Sequence, residues 1–461
     1  MTRLLLKNAD YIITCDDNDN VFENCDILVE DKQIKLIAKN IISDTQVDET
    51  INCSGKAIFP GLVNTHHHFF QTFVRNRLSI DYPSMTVIEW LDKIYRVFCR
   101  MDEEMLYYSS LVAISDLLKH GCTTAFDHQY CHTRPNGKHM IDQSVKAAEM
   151  LGVRYVGGRG TNTLPREEGS TIPPAMLETT EEFILDCERL IAAYHDPEPF
   201  AMSQIVVAPC QPVNCYPETF TESVKLARKH HVSMHTHLGE GENPNIVERY
   251  GMRTLDWCIE KEFIGEDVWF AHCWELKAEE FETMGQYGSG VSHCPAPAVL
   301  GGFPILDMKQ ILSTNTTISL GVDGSATNDS SNLLDTLRLA YLMQASLSKQ
   351  RGGTVTPYDL VKMATRGGAK SLGRPEIGYL ATDMAADLFA LDVNRLEFVG
   401  ALHDIKNLIP RLAYTGEVDF TMVNGEIVFR NGELTRVDEE ELKQQAEKSQ
   451  QRINLIIDQE V

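Results

Sequence analysis

From Pro60 onward the chain alternates strand-like and helix-like segments, and this rhythm constrains the fold more than any other feature. Short apolar or β-branched runs read as strands at Gly61–His68, Thr123–Asp127, Arg154–Gly158, Gln204–Ala208, Val232–His237, Val268–His272, Gly290–His293 and Thr317–Asp323. Helical patterns lie between them, among them Met105–His120, Met140–Leu151, Glu181–His195, Pro217–His230 and Thr254–Lys261. Gly121 and Gly152 end two of these, a common stop. Such alternation predicts parallel strands with helical crossovers, and eight units predict a (β/α)8 TIM barrel. The last barrel helix is expected near Pro357–Leu372, with Gly367 and Gly368 inside it arguing against an undisturbed helix.

The two ends of the chain follow a different pattern. Tyr11–Thr14, Asp26–Val29 and Ile34–Ile37 read as strands separated by polar turns. Strand patterns return at Ala386–Leu391 and at Phe420–Val423, where the turn Asn424-Gly425 leads into Glu426–Phe429 as a hairpin. The expected α/β architecture is therefore a barrel over 60–375 and a small β-sandwich domain built from 1–59 and 376–435. A polar helix, Asp438–Ile457, lies within the closing segment 436–461.

Lys+Arg 42 against Asp+Glu 66 gives a formal charge of -24 with no basic stripe, which argues against nucleic acid as a partner. No apolar run approaches the roughly 18 residues of a membrane span. The N-terminal Leu4-Leu5-Leu6 reads as the start of a strand rather than a targeting segment. Twelve scattered cysteines without a C-x-x-C predict reduced thiols and a cytoplasmic protein.

In barrels of this kind the chemistry sits at the C-terminal strand ends. Strand one ends in Thr65-His66-His67-His68, where alternation puts His66 and His68 on one face and His67 on the other. Strand five ends in His235-Thr236-His237, strand six in His272, strand seven in His293 and strand eight in Asp323. Fifteen histidines in 461 residues would not collect at these ends by chance. Neutral imidazoles with a carboxylate suit one divalent metal ion, zinc in the first instance and iron as the alternative. Such an ion lowers the pKa of a water to about 7. Asp323 and Glu240 are placed to act as base and acid. His235 and His237 share a face, and proximity to the strand end favours His237. His272 reads as a ligand or as the group that orients the attacking water, with the second favoured. His293 could equally be a core histidine. No H-E-x-x-H occurs, Pro209-Cys210 lacks the rest of a nucleoside-deaminase zinc motif, and strand four carries no Lys for a bridged second metal.

With these residues in place, the chain resembles the amidohydrolase superfamily. The likeness rests on Pro60-Gly61-Leu62-Val63-Asn64-Thr65-His66-His67-His68, His237-Leu238-Gly239-Glu240, Ala271-His272-Cys273, Ser292-His293-Cys294-Pro295 and Gly321-Val322-Asp323-Gly324-Ser325-Ala326. It is most similar to the mononuclear aminohydrolase branch that holds 8-oxoguanine deaminase, pterin deaminases and triazine hydrolases. The resemblance implies that His66, His68, His237 and Asp323 bind one metal ion. It implies that Glu240 shuttles protons, that His272 orients the attacking oxygen and that Asp323 is the base. It places Gln71 and His128 against a heterocyclic small-molecule substrate and suggests a homo-oligomer. The implied reaction is hydrolytic deamination of an aminated N-heterocycle, an 8-oxoguanine-like purine first. Ring opening of a cyclic amide and triazine or pterin hydrolysis are the alternatives, and a catalytically idle metal-binding scaffold is a distant one. Two segments differ from the 8-oxoguanine deaminase pattern: Ala296–Phe303 after strand seven, and Gly239-Glu240-Gly241-Glu242 after strand five.

Overall fold

The computed structural model describes residues 2–42, 47–133, 137–351, 353 and 355–461, the side chains of 349–351 excepted. Eight parallel strands form one sheet in sequential order: Leu62–Asn64, Cys122–Gln129, Arg154–Arg159, Ser203–Val207, Met234–Leu238, Val268–His272, Gly290–His293 and Thr317–Leu320. They are numbered one to eight below. The sheet closes through backbone hydrogen bonds from Thr65 N–H to the Leu320 carbonyl (3.2 Å) and from Asp323 N–H to the His66 carbonyl (3.0 Å). The chain is a TIM barrel.

The helices between the strands start and stop on local signals. Asp102 accepts from the Met105 N–H to cap Glu103–Lys119. Thr179 and Glu182 form a reciprocal capping box ahead of Thr180–Tyr194. Gly152, at φ 79°, ends Met140–Leu151 in the left-handed conformation. Apolar faces of these helices and the outer faces of the strands share one buried cluster.

The last barrel helix is broken, as its glycines forewarned. An α-helical turn, Pro357–Lys362, passes into a π-helical stretch at Met363–Gly367 and then into Gly368–Ser371. A side chain at Gly367 would come within 2.4 Å of the Ile318 carbonyl oxygen, and one at Gly368 within 2.7 Å of Val63 Cβ. The helix therefore lies with its backbone directly against strands eight and one.

The chain ends meet in a single nine-stranded mixed sheet, not in two separately paired layers. Lys56–Pro60 pairs in parallel with Arg3–Ile13 on one side and antiparallel with Leu388–Asp392 on the other. This pairing joins the two ends immediately before the chain enters the barrel. Register shifts at Leu6/Ala9, Leu28/Val29 and Thr421/Met422 interrupt its ladders. The closing helix, Glu439–Glu460, buries Ile453, Ile456 and Ile457 in a cluster shared with Trp90, Tyr95 and Phe98 of the helix Val87–Phe98. Among the described residues no helix is long and apolar enough to cross a membrane. All twelve cysteines are free thiols.

Candidate active site

The first strand stops at Asn64, and Thr65–His68 continue beyond the ladder. The last strand likewise stops at Leu320. Both were expected to run on to the site residues. Beyond strand eight the chain turns, with Asp323 at φ 65°, and strand six ends in a similar turn, with His272 and Cys273 at 73° and 61°. Left-handed backbone at non-glycine residues is strained, and strain of this kind collects at functional sites.

The orientation of each imidazole follows from the hydrogen bonds at its back. A carbonyl can only accept, so His68 Nδ1 donates to the His128 carbonyl (2.7 Å) and His237 Nδ1 to the Cys210 carbonyl (2.7 Å). His235 Nδ1 donates to the Trp269 carbonyl (2.9 Å), so its Nε2 accepts from His66 Nδ1 at 3.0 Å. Each of His66, His68 and His237 is thereby left with a bare lone pair on Nε2. The His68 and His237 Nε2 atoms are 3.2 Å apart, and Asp323 Oδ1 lies 3.2 Å from His68 Nε2 and 3.4 Å from His66 Nε2. Lone pairs facing one another at this range repel unless a cation lies among them. The donor set of imidazole nitrogens and a carboxylate is one that zinc or iron accepts.

This arrangement separates His235 from His237. Both face inward, but His235 is committed to His66 and to a carbonyl, whereas His237 presents its nitrogen to the cluster. His67 is more than a bystander. Its Nδ1 accepts from the His68 N–H (2.8 Å), and its Nε2 donates to Ser331 Oγ (2.8 Å), tying the strand-one end to the loop after Asp323.

Burial holds His66 down to about 4 and His237 well below its ordinary range, so both are neutral at neutral pH. Burial alone would raise Asp323, but its close contacts with His66 and His68 outweigh burial and hold it well below the usual carboxylate range. Glu240 moves the other way. Its burial, followed by the neighbouring carboxylates Asp323, Glu242 and Glu275, raises it well above that range. Two carboxyl groups in one cavity are thus driven apart in acidity, the pattern expected of an acid and a base.

His272 is fully buried, and among the described residues neither of its ring nitrogens has a hydrogen-bond partner. Its Nε2 lies 3.6 Å from Glu240 Oε1. Trp274 packs on its ring at 4.3 Å between centroids, and Phe303 packs on Trp274 at 4.6 Å. The divergent segment after strand seven therefore props His272 from behind. His293 is buried with both ring nitrogens unpartnered, near His272 but outside the cavity lining.

His68, His237, Glu240 and Asp323 line one cavity together with Gln71, Gln211, Trp90, Tyr95 and Tyr130. Gln71 Oε1 accepts from the Ala326 N–H (3.1 Å), which leaves its Nε2 donors for the cavity. His128, expected to meet the heterocycle, does not line it. It is fully buried, its Nε2 donates to the Ala208 carbonyl (2.9 Å), and its ring stacks on His237 at 4.8 Å. It belongs to the imidazole cluster rather than to the substrate wall. The aromatic wall went unread in the sequence. Its signal was present in Thr86 and Glu89, a capping box opening the amphipathic helix Val87–Phe98.

Comparison with known proteins agrees with this geometry. Residues 57–428 match the amidohydrolase family. The chain is 48% identical to a hydroxydechloroatrazine ethylaminohydrolase of Pseudomonas sp. (strain ADP), over 97% of this chain and 95% of that one. It is 34% identical to an 8-oxoguanine deaminase of Pseudomonas aeruginosa, over 92% and 93%. Among solved structures, an atrazine chlorohydrolase from Arthrobacter aurescens TC1 complexed with zinc superposes with a TM-score of 0.91 at 28% identity, covering 97% of this chain and 100% of the other.

Proposed function

The chain belongs to the amidohydrolase family and is a hydrolase of carbon–nitrogen bonds; on that premise we propose that it displaces an amino or alkylamino group from an oxo-substituted aromatic N-heterocycle with water. The observation that carries this reading is the clustering of the His66, His68 and His237 Nε2 lone pairs, His237 3.2 Å from His68 and the first two within 3.4 Å of Asp323 Oδ1, beside a carboxyl group of raised pKa.

His66, His68, His237 and Asp323 would hold one divalent metal ion, zinc in preference to iron. When bound, the metal supplies a Lewis acid and a water of lowered pKa. The protein's own residues do the rest. Asp323, held ionised, takes a proton from the attacking water. Glu240, protonated in its buried setting, gives a proton to the ring nitrogen next to the reacting carbon and on to the departing amine. His272, its Nε2 3.6 Å from Glu240 Oε1 and its ring on a rigid aromatic support, would orient the attacking oxygen. The new bond is from ring carbon to water oxygen, the broken bond is from ring carbon to exocyclic nitrogen, and of the water's two protons one leaves with the amine while the other stays on the oxo-ring, at its nitrogen. Gln71 offers N–H donors to an acceptor on the ring edge, while Trp90, Tyr95 and Tyr130 supply flat apolar walls.

The 48% likeness to an ethylaminohydrolase favours a hydroxylated aminotriazine carrying an alkylamino group, and an 8-oxoguanine-like purine is the second reading. The test is a product assay across ethylamino-hydroxytriazines, 8-oxoguanine and isoxanthopterin. The proposal expects stoichiometric ethylamine or ammonia with an intact oxo-ring. Loss of ring absorbance with no amine released would instead establish ring opening.

A further inference from the structure

Gly239-Glu240-Gly241-Glu242 departs from the 8-oxoguanine deaminase pattern, and its geometry gives the second glutamate a task. Glu242 is 2% exposed. Its Oε1 accepts from the Gly239 N–H at 2.6 Å and its Oε2 from the Glu240 N–H at 2.7 Å. Both flanking glycines have positive φ, 66° and 98°, so the backbone on either side of Glu240 occupies a conformation few other residues hold. Glu275 grips the far side of the turn, accepting from the Gly241 N–H at 3.1 Å. Glu242 Oε2 also faces the Nε2 of Gln211, a cavity residue, at 3.5 Å. A buried carboxylate is expensive unless donors meet it, and here the close donors are the two N–H groups that lead into Glu240.

We propose that Glu242 is a positioning residue for the reaction: its carboxylate clamps the Gly239 and Glu240 amides, fixing the Glu240 side chain in the cavity. This rests on the reading of Glu240 as the proton shuttle. A turn built around two glycines is otherwise free to swing, and a proton donor displaced by about an ångström loses much of its effect. An amide at position 242 keeps one acceptor oxygen but presents an NH2 where the other backbone N–H points.

The test is a double-mutant cycle on the metal-loaded enzyme, with Glu240→Gln, Glu242→Gln and the pair, followed by hydrogen exchange over the peptide spanning Leu238–Glu242. Glu242→Gln is expected to lower kcat about 10- to 100-fold in the parent and less than about twofold in the Glu240→Gln background, with KM and metal content little changed. It should also accelerate exchange at the Gly239 and Glu240 amides. An equal loss of kcat in both backgrounds, or unchanged exchange, would overturn the clamp. Full activity of Glu240→Gln together with accelerated exchange in Glu242→Gln would instead overturn the proton-shuttle reading and leave the clamp standing as a structural fact. Glu242→Asp, one methylene shorter, runs the same cycle if the amide variant does not fold.

Discussion

Two buried polar clusters sit at opposite ends of the barrel strands, and they are built on opposite rules. At the start of strand three, Arg154 is fully buried and every side-chain nitrogen is used. Its Nε and Nη2 donate to Asp387 at 3.0 Å, its Nη2 also to Asn424 Oδ1 at 2.6 Å, and its Nη1 to the Ala201 carbonyl at 2.5 Å. Asp387 in turn accepts from the Asn424 N–H at 2.7 Å. At the other end, His66 Nε2 and both nitrogens of His272 and His293 have no hydrogen-bond partner among the described residues. The first cluster satisfies every side-chain nitrogen of Arg154 and fastens the terminal sheet to the barrel. The second leaves nitrogens bare, strains the backbone and drives two carboxyl groups apart in pKa. Satisfied donors and acceptors mark a structural joint, and buried nitrogens turned toward one another mark a candidate binding site.

The contrast predicts that damage to one cluster costs activity while damage to the other costs stability. Asp323→Ala would remove the proposed base and a proposed metal ligand at once. Turnover should fall on the order of 10⁴-fold or more, with bound metal lost, as read by steady-state kinetics and elemental analysis. Glu240→Gln should lower kcat by about 10²- to 10⁴-fold while keeping the metal and an unchanged or higher melting temperature. A large drop in stability there would erase the distinction between the clusters. At the joint, Arg154→Ala should destabilise the fold by roughly 3–5 kcal/mol, because it strands the buried Asp387. Its turnover per folded molecule should stay near the parent's, checked by chemical denaturation alongside kinetics below the transition.

Asp127 lies between the two cases and gives the smallest effect. It is buried and accepts from the Phe69 N–H (2.9 Å) and the Tyr155 hydroxyl (3.3 Å), and burial pushes it from 3.8 up to about 6. A raised carboxyl group contributes stability that is complete below its unfolded value and fades as pH rises through about 6. Asp127→Asn mimics the protonated form. Its stability advantage over the parent should be absent near pH 3.8 and grow to at most about 3 kcal/mol above pH 6. A gap that does not change with pH would show that the group stays ionised.

The sequence made the barrel legible because its strands announce themselves by apolar runs and its helices by period and caps. Val268–His272, Gly290–His293, Met140–Leu151 and Pro217–His230 have the bounds that the pattern suggested. The metal-site candidates were legible because the barrel places its chemistry at strand ends. What stayed hidden depends on contacts between distant segments. Proximity to the strand end favours His237 over His235, but what commits each ring, the carbonyl of Cys210 and the ring of His66, comes from distant segments. Nothing local says that His128 turns its Nε2 to Ala208 rather than toward a substrate. Nor does Glu242 declare itself, since its partners are backbone amides that any residue could supply. Strand ends were overrun at His68 and Asp323 because the chain leaves the ladder there to bring His66, His68 and Asp323 together.

The central claim is that the bare imidazole cluster works only with a metal ion. The direct measurement is turnover on an alkylamino-hydroxytriazine or 8-oxoguanine against metal content, before chelation, after it, and after zinc is restored. The account predicts one divalent ion per chain, amine release that falls in proportion as the ion is removed, and recovery on restoration. Undiminished turnover by fully metal-free protein would contradict it.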